Sequence, residues 1–140
     1  MGQMIETAIY SRLASDAALA GTVTVFSGAP AIFSEFAPET AQRPYVVFRV
    51  MMSSADAVVR PLTVMVDYYE YNTSRVKSRL AAERIEYLLD QQVVQDADYA
   101  DIRLNYFAGS PVDAGDGRDI QYNVQFSGRA TRKKWIIQNH

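Results

Sequence analysis

The chain contains no cysteine, and its one histidine is the terminal His140. The first absence removes disulfides, thiolate nucleophiles and cysteine-ligated zinc or iron–sulfur sites. The second leaves a serine–histidine–aspartate arrangement without a base and a histidine metal cluster without ligands. Long hydrophobic runs are missing too. Arg49, Asp67 and Glu70 interrupt the best candidates, so nothing approaches the roughly 20 apolar residues that cross a bilayer. Charge of one sign does not dominate either: 14 Lys and Arg stand against 16 Asp and Glu, for a formal net charge of -2. No global basic field of the kind that holds a nucleic-acid backbone results. Met1 to Leu13 carries Glu6 and Arg12 within its apolar pattern, so it reads as folded structure and not as a secretory signal. Glu6 also stands where a myristoylation motif requires serine or threonine. The expectation is a soluble protein whose fold suits the cytosol.

What is present is a chain of 140 residues, 49% of them hydrophobic, enough for one domain with its own core. Met4, Ile5, Ala8, Ile9 and Leu13 recur at helical spacing, and the helix they predict continues through the alanine-rich segment to Gly21. Thr22 to Phe26 reads as a short strand, and Ser27 to Pro44, with three prolines and one glycine, as a long ordered loop. Tyr45 to Met52 and Leu62 to Glu70 are rich in valine, tyrosine, phenylalanine and methionine and predict two antiparallel strands around a turn at Ser53 to Arg60. A cap at Asn72, Thr73 or Ser74 opens a second helix whose apolar stripe is Val76, Leu80, Ala81, Ile85, Leu88 and Leu89. After an acidic connector, Asp96 to Asp101, the strands Ile102 to Phe107 and Asp119 to Ser127 flank a Gly115-Asp116-Gly117 turn.

The fold class expected is α+β: an antiparallel sheet with two α-helices packed on one face, in the order α-β-β-β-α-β-β. Period-two alternation places Val46, Phe48, Val50, Leu62, Val64, Val66, Ile120, Tyr122, Val124 and Phe126 on the inner face. The opposite face then carries Tyr45, Arg49, Met51, Met65, Asp67, Tyr69, Arg103, Asn105, Phe107, Gln121 and Asn123. That face has more aromatics and methionines than a simply solvated one. It is either a contact surface or a face partly covered by the chain's own long loop.

Candidate chemical sites dissolve on inspection. Asp113, Asp116 and Asp119 suggest calcium, but a loop counted from Asp113 has glycines at its third and fifth positions and Val124 where a bidentate glutamate is needed. Gly115 and Gly117 begin a nucleotide-binding pattern that Ile120 breaks. Asp96, Asp98 and Asp101 lack a fourth ligand and read as a solvated connector. Asn72-Thr73-Ser74 matches a glycosylation sequon but reads better as a helix cap. The expectation is therefore no enzyme, no catalytic residue, no metal and no cofactor.

Several weak motifs nevertheless occur in an informative order. An amino-terminal helix is followed by Ala31-Ile32-Phe33, by Pro44-Tyr45-Val46-Val47-Phe48 leading a strand, by Val64-Met65-Val66-Asp67, by a helix with Leu80, Ile85 and Leu89, and by the alternating strand Asp119 to Phe126. In this order the chain resembles the tail-completion, or tail-terminator, proteins of long-tailed bacteriophages, over roughly residues 4 to 128. Ser34 stands where many relatives have proline, and Gly128 to His140 lies outside the shared pattern. The domain assignment that follows is 1–128 as one tail-terminator-like domain and 129–140 as a basic and aromatic extension.

The resemblance implies a structural virion protein that forms a ring, six-fold, on the last ring of tail-tube protein. Such a ring stops tube polymerisation and offers a surface for head–tail joining. The implied partners are further copies of the chain, the tail tube protein and the head–tail connector or stopper. DNA would be met only in passage through the lumen, and no membrane is involved. The implied location is the head–tail junction of the virion, after assembly in the host cytoplasm. Interface residues are expected on the loop (Phe33 and Phe36), on the outer sheet face (Tyr45, Met65, Tyr69 and Phe107) and in the carboxy-terminal run (Arg132, Lys133, Lys134 and Trp135). That run, completed by Ile136 and Ile137, either docks on an acidic neighbour or is the solvated end of the last strand. A different class of reading stays open: a small α+β regulatory or ligand-binding module that dimerises through its open sheet face.

Overall fold

A computed structural model describes residues 2–52, 59–71, 75–91, 93–94, 99–113 and 119–132. Helix α1, Gly2–Ala14, buries Ile5, Ile9 and Leu13, one per turn along a single stripe. The helix predicted to run on to Gly21 instead breaks at Asp16, which is extended and caps a separate four-residue helix, α2, Ala17–Ala20. Its carboxylate accepts the Leu19 amide at 2.8 Å, one of the orphan donors at a helix start. The break lets Leu19 turn into the core.

The expected loop from Ser27 to Pro44 is more structured than its composition suggests. Strands β1, Val25–Phe26, and β2, Ala29–Pro30, form a minimal hairpin. Ser27 and Gly28 between them both have positive φ, at 49° and 81°, as the twist of a two-residue hairpin turn requires. Strand β3, Ile32–Ser34, then pairs with β4, Tyr45–Met52, in parallel, with Ile32 opposite Val46. Residues 35–44 carry the chain back to the same end of the sheet, so the sheet is mixed and not wholly antiparallel as expected.

The remaining pairings are antiparallel. β5, Val59–Tyr71, lies between β4 and β8, Asp119–Arg132. β8 pairs on its other side with β7, Tyr99–Asp113, which pairs with the short β6, Val93–Val94. The six-stranded order is β3-β4-β5-β8-β7-β6, beside the two-stranded β1-β2 hairpin. Helix α3, Arg75–Leu89, connects β5 to β6. The element order expected from sequence is thus corrected by a third helix, the β1-β2 hairpin, and short edge strands too brief to show periodicity. β8 continues in the sheet through Arg132, with Thr131 opposite both Val59 and Ala100.

One apolar cluster unites the three helices with one face of the sheet. It contains Ile5, Ile9, Leu13 and Leu19, then Val46, Phe48, Leu62, Val64, Val66, Val124 and Phe126, with Val50 and Tyr122 packed against it. Each fully buried aliphatic or aromatic side chain contributes about 1.5–3 kcal/mol. Tyr68 is also buried here, donating its hydroxyl to the Thr22 carbonyl at 2.7 Å. Burial first, and then the charge of Glu70, push the Tyr68 pKa well up, so the phenol stays a donor.

Helix α3 is rotated relative to its expected stripe. Ala81, Ala82, Ile85 and Leu89 are buried, whereas Val76 and Leu80 are exposed. At 100° per residue those two lie nearly opposite Ile85, and the paired alanines let the helix backbone approach the sheet closely. The leucine was read as core because it is apolar, but the alanines occupy that side.

Candidate assembly surfaces

The outer face of the sheet is built from rows that cross it. Tyr45, Tyr69, Gln121 and Val112 make one row; Val47, Asp67, Asn123 and Ser110 make the next; Arg49, Met65, Gln125 and Ala108 make the third. The aromatics are coupled. Phe26 meets Phe33 edge-on at 5.4 Å between ring centroids, Phe33 meets Tyr45 at 6.1 Å, and Tyr45 lies 5.2 Å from Tyr69. The β1 hairpin is thereby joined to the centre of the sheet through side chains on its outer side.

Asp67 lies in the middle of this face at 2% exposure. Gln121 and Asn123 donate side-chain amides to the same Asp67 oxygen at 3.0 and 2.7 Å, and Gln125 donates to Asn123 at 2.9 Å. The carboxylate is thus held by a short amide ladder, as a buried charge requires. Burial, followed by the negative charge of Asp67 and the neighbouring Tyr45, raises the Tyr69 pKa, and the hydroxyl remains protonated at neutral pH.

The sequence-predicted contact residues are placed as follows. Phe33, Tyr45, Met65 and Tyr69 are half-buried on or beside the outer face. Phe36 is 78% exposed on the loop after β3, and Phe107 is 69% exposed. Phe107 sits at a register shift between Tyr106 and Ala108, a bulge that leaves it unpaired on β7. Tyr106 beside it leans the other way, edge-on to Phe126 at 6.2 Å, with its hydroxyl over Gly109. The structure therefore brings Phe33, Tyr45 and Tyr69 together, while Phe36 and Phe107 stand apart. Arg132 ends β8 with its backbone paired to Tyr99. Lys133, Lys134 and Trp135 lie outside the described residues, as do Asp96, Asp98, Asp116, Gly115, Gly117, Asn72 to Ser74 and His140.

Sequence reasoning missed two features. Val47 points to the outer face and is buried there beside Asp67; the unbroken run Tyr45 to Phe48 signals a strand buried on both sides. The second is the exposed stripe of α3, formed by Val76, Leu80 and Tyr87. Arg84 lies over the Tyr87 ring at 4.5 Å, and Glu83, Glu86 and Asp90 flank that ring in a shallow cleft. A second groove, of about 410 Å³, runs between α1 and the sheet edge and is lined by Glu6, Thr7, Tyr10, Ser34 and Phe48. Among the described residues no three His, Cys, Asp or Glu side chains converge as a metal site, and no helix is long and apolar enough to cross a membrane.

No protein-family model and no curated protein matches the chain. By structure, it superimposes on a chain from a structure described as the virion of a native gene transfer agent particle, with a TM-score of 0.72, 14% identity, and coverage of 93% of this chain and 96% of that one. The two chains share a fold. A second solved chain matches with a TM-score of 0.63, 14% identity, and coverage of 94% and 96%. Coverage this complete means the likeness extends over most of both chains and not over one common motif.

Proposed function

We propose that the chain is a structural subunit of a phage-like virion. In this reading it forms a ring, six-fold, at the head-proximal end of the tail tube, where it stops tube polymerisation and presents the surface to which the head connector joins. The observation that carries the reading is the near full-length fold likeness to a chain of the gene transfer agent virion. The motif order that resembles tail-completion proteins supports the narrower role. The surfaces suit it: a ring needs faces that close head to tail, and the coupled aromatics and amides of the outer sheet, with Phe36 and Phe107 projecting, supply contacts to tube or neighbour. The enzyme alternatives lose their required groups at the level of composition.

The test is tail length, measured by electron microscopy in particles that lack this gene, with complementation from a plasmid as control. Overlong headless tails are expected. Tails of normal length that fail to attach heads would move the role to joining. Fully normal infectious particles would overturn the proposal and favour a dimeric regulatory module.

A further inference from the structure

We propose that neighbouring copies in the ring join by docking the outer stripe of α3 on one copy against the end of the outer sheet face on the next, where β4, β5, β8 and β7 carry Met51, Val59 and Pro61, Arg129 and Arg103. This inference rests on the ring reading and names the surfaces that close it. The helix side presents Val76, Leu80 and Tyr87 around Glu83 and Glu86. The sheet side presents Met51, Val59 and Pro61 beside Arg103 and Arg129, all five exposed. One surface is apolar and, around Tyr87, acidic, with Arg79 exposed one turn before Glu83; the other is apolar and basic.

Each surface is locally unfavourable in an isolated subunit. Helix α3 has no acidic residue in its first turn and no basic residue in its last, and Lys77 and Arg79 precede Glu83 and Glu86 along it. That polarity opposes the helix dipole, whose negative end adds to the carboxylates instead of being offset by a cation. On the sheet, Arg103 stands directly opposite Arg129, and like charges in directly paired positions repel. Of the cations on α3, Lys77 lies 3.9 Å from Glu70 and Arg84 is engaged by Asp16 at 2.6 Å.

The two surfaces match in spacing as well as sign. Glu83 and Glu86 are three residues apart on a helix, which puts their Cβ atoms about 5–6 Å apart. Arg103 and Arg129 are cross-strand partners, with Cβ atoms about 4.5–5.5 Å apart. Two carboxylates can therefore meet two guanidiniums in register, while the flanking aliphatic and aromatic side chains exclude water around them. Since the helix layer and the outer sheet face lie on opposite sides of the chain, the contact is head to tail, which closes a ring when the rotation between copies divides a full turn.

The absence of native cysteine makes the test direct. Particles would be assembled with a Tyr87→Cys, Val59→Cys double variant and treated with a short bifunctional maleimide, with each single variant as control. A ladder of multimers from the double variant and none from the singles is expected. Chain present in the particles without a ladder would overturn the interface, and so would dimers from Tyr87→Cys alone, which would mean a two-fold contact. Absence of even the wild-type chain from particles would sink the ring reading and this inference with it. In a second arm, Glu83→Arg with Glu86→Arg, and separately Arg103→Glu with Arg129→Glu, are expected to reduce incorporation at least tenfold while leaving the melting curve intact. Co-expressing the two reversed chains should restore incorporation, because each reversed face then meets its complement. Wild-type incorporation by either reversed chain alone would overturn the proposal.

Discussion

Asp16 does two jobs that can be separated by substitution. Its carboxylate caps α2 at Leu19 and accepts from Arg84 Nε at 2.8 Å and Nη2 at 2.6 Å, so one residue from the α1-α2 corner anchors α3. The Arg84 hydrogen bonds hold its pKa below the ordinary 3.8, against a smaller opposing effect of desolvation, with the Leu19 amide adding to the lowering. A depressed carboxylate contributes stability that is fully present above its unfolded pKa and is lost as pH falls through the folded value. Asparagine caps nearly as well as aspartate, so Asp16→Asn isolates the ion pair, whereas Asp16→Ala also removes the cap, at about 1 kcal/mol. Thermal melts across pH should show the Asp16→Asn deficit constant from pH 7 to about 5 and closing below the ordinary carboxylate pKa. The gap between the Asn and Ala variants should not change with pH. An Asp16→Asn deficit that survives undiminished at about pH 2 would mean that the carboxylate charge is irrelevant to the corner.

At the level of elements, α3 illustrates how apolar identity and burial can part company. Leu80 is 56% exposed while Ile85 is fully buried, although both belong to the stripe read from sequence. In denaturant titrations of the isolated chain, Leu80→Lys should change stability by less than about 0.5 kcal/mol, whereas Ile85→Ala should cost about 2–5 kcal/mol. Comparable losses from the two would place Leu80 in the core and remove the docking stripe. The inner face of the sheet was legible because period-two alternation in β4, β5 and β8 is long enough to set the register: Val46, Phe48, Val64, Val66, Val124 and Phe126 are buried as read. Ile120 lies where no side chain is described. The break at Asp16 was not legible, because an aspartate within an alanine-rich stretch is compatible with a continuing helix until Arg84, 68 residues away, draws its carboxylate into a cap. The parallel β3 was hidden for another reason: three residues cannot display alternation, and their pairing with β4 is set by where the chain returns at residue 45. Likewise Phe107 was assigned to the outer face by counting, but its prominence comes from a bulge that counting cannot show.

On the scale of the whole molecule, the chain has two unlike sides. The helix side carries both signs, with Lys77, Arg79 and Arg84 along α3 and a local patch of carboxylates around Tyr87, whereas the sheet side carries Arg49, Arg103 and Arg129 exposed, with its one described carboxylate, Asp67, held inward by amides. A net charge of -2 conceals this separation, which is why composition alone argued only against a global field. Such polarity favours ordered head-to-tail contact over two-fold pairing of identical faces, where like would meet like. The sheet side should therefore tolerate substitution in the folded monomer but not in the particle. Met65, half-buried in the row between Arg49 and Gln125, and Phe107, at the bulge, are suited to the test. The double variant Met65→Glu, Phe107→Glu places its new carboxylates at half-buried and exposed positions, and its melting temperature should stay within about 4 °C of the wild type. Under the proposed terminating role, complemented particles carrying the same variant should have overlong tails. Normal tails built with this folded variant would remove the outer sheet face from assembly and leave the helix side and the Phe36 loop to provide the contacts.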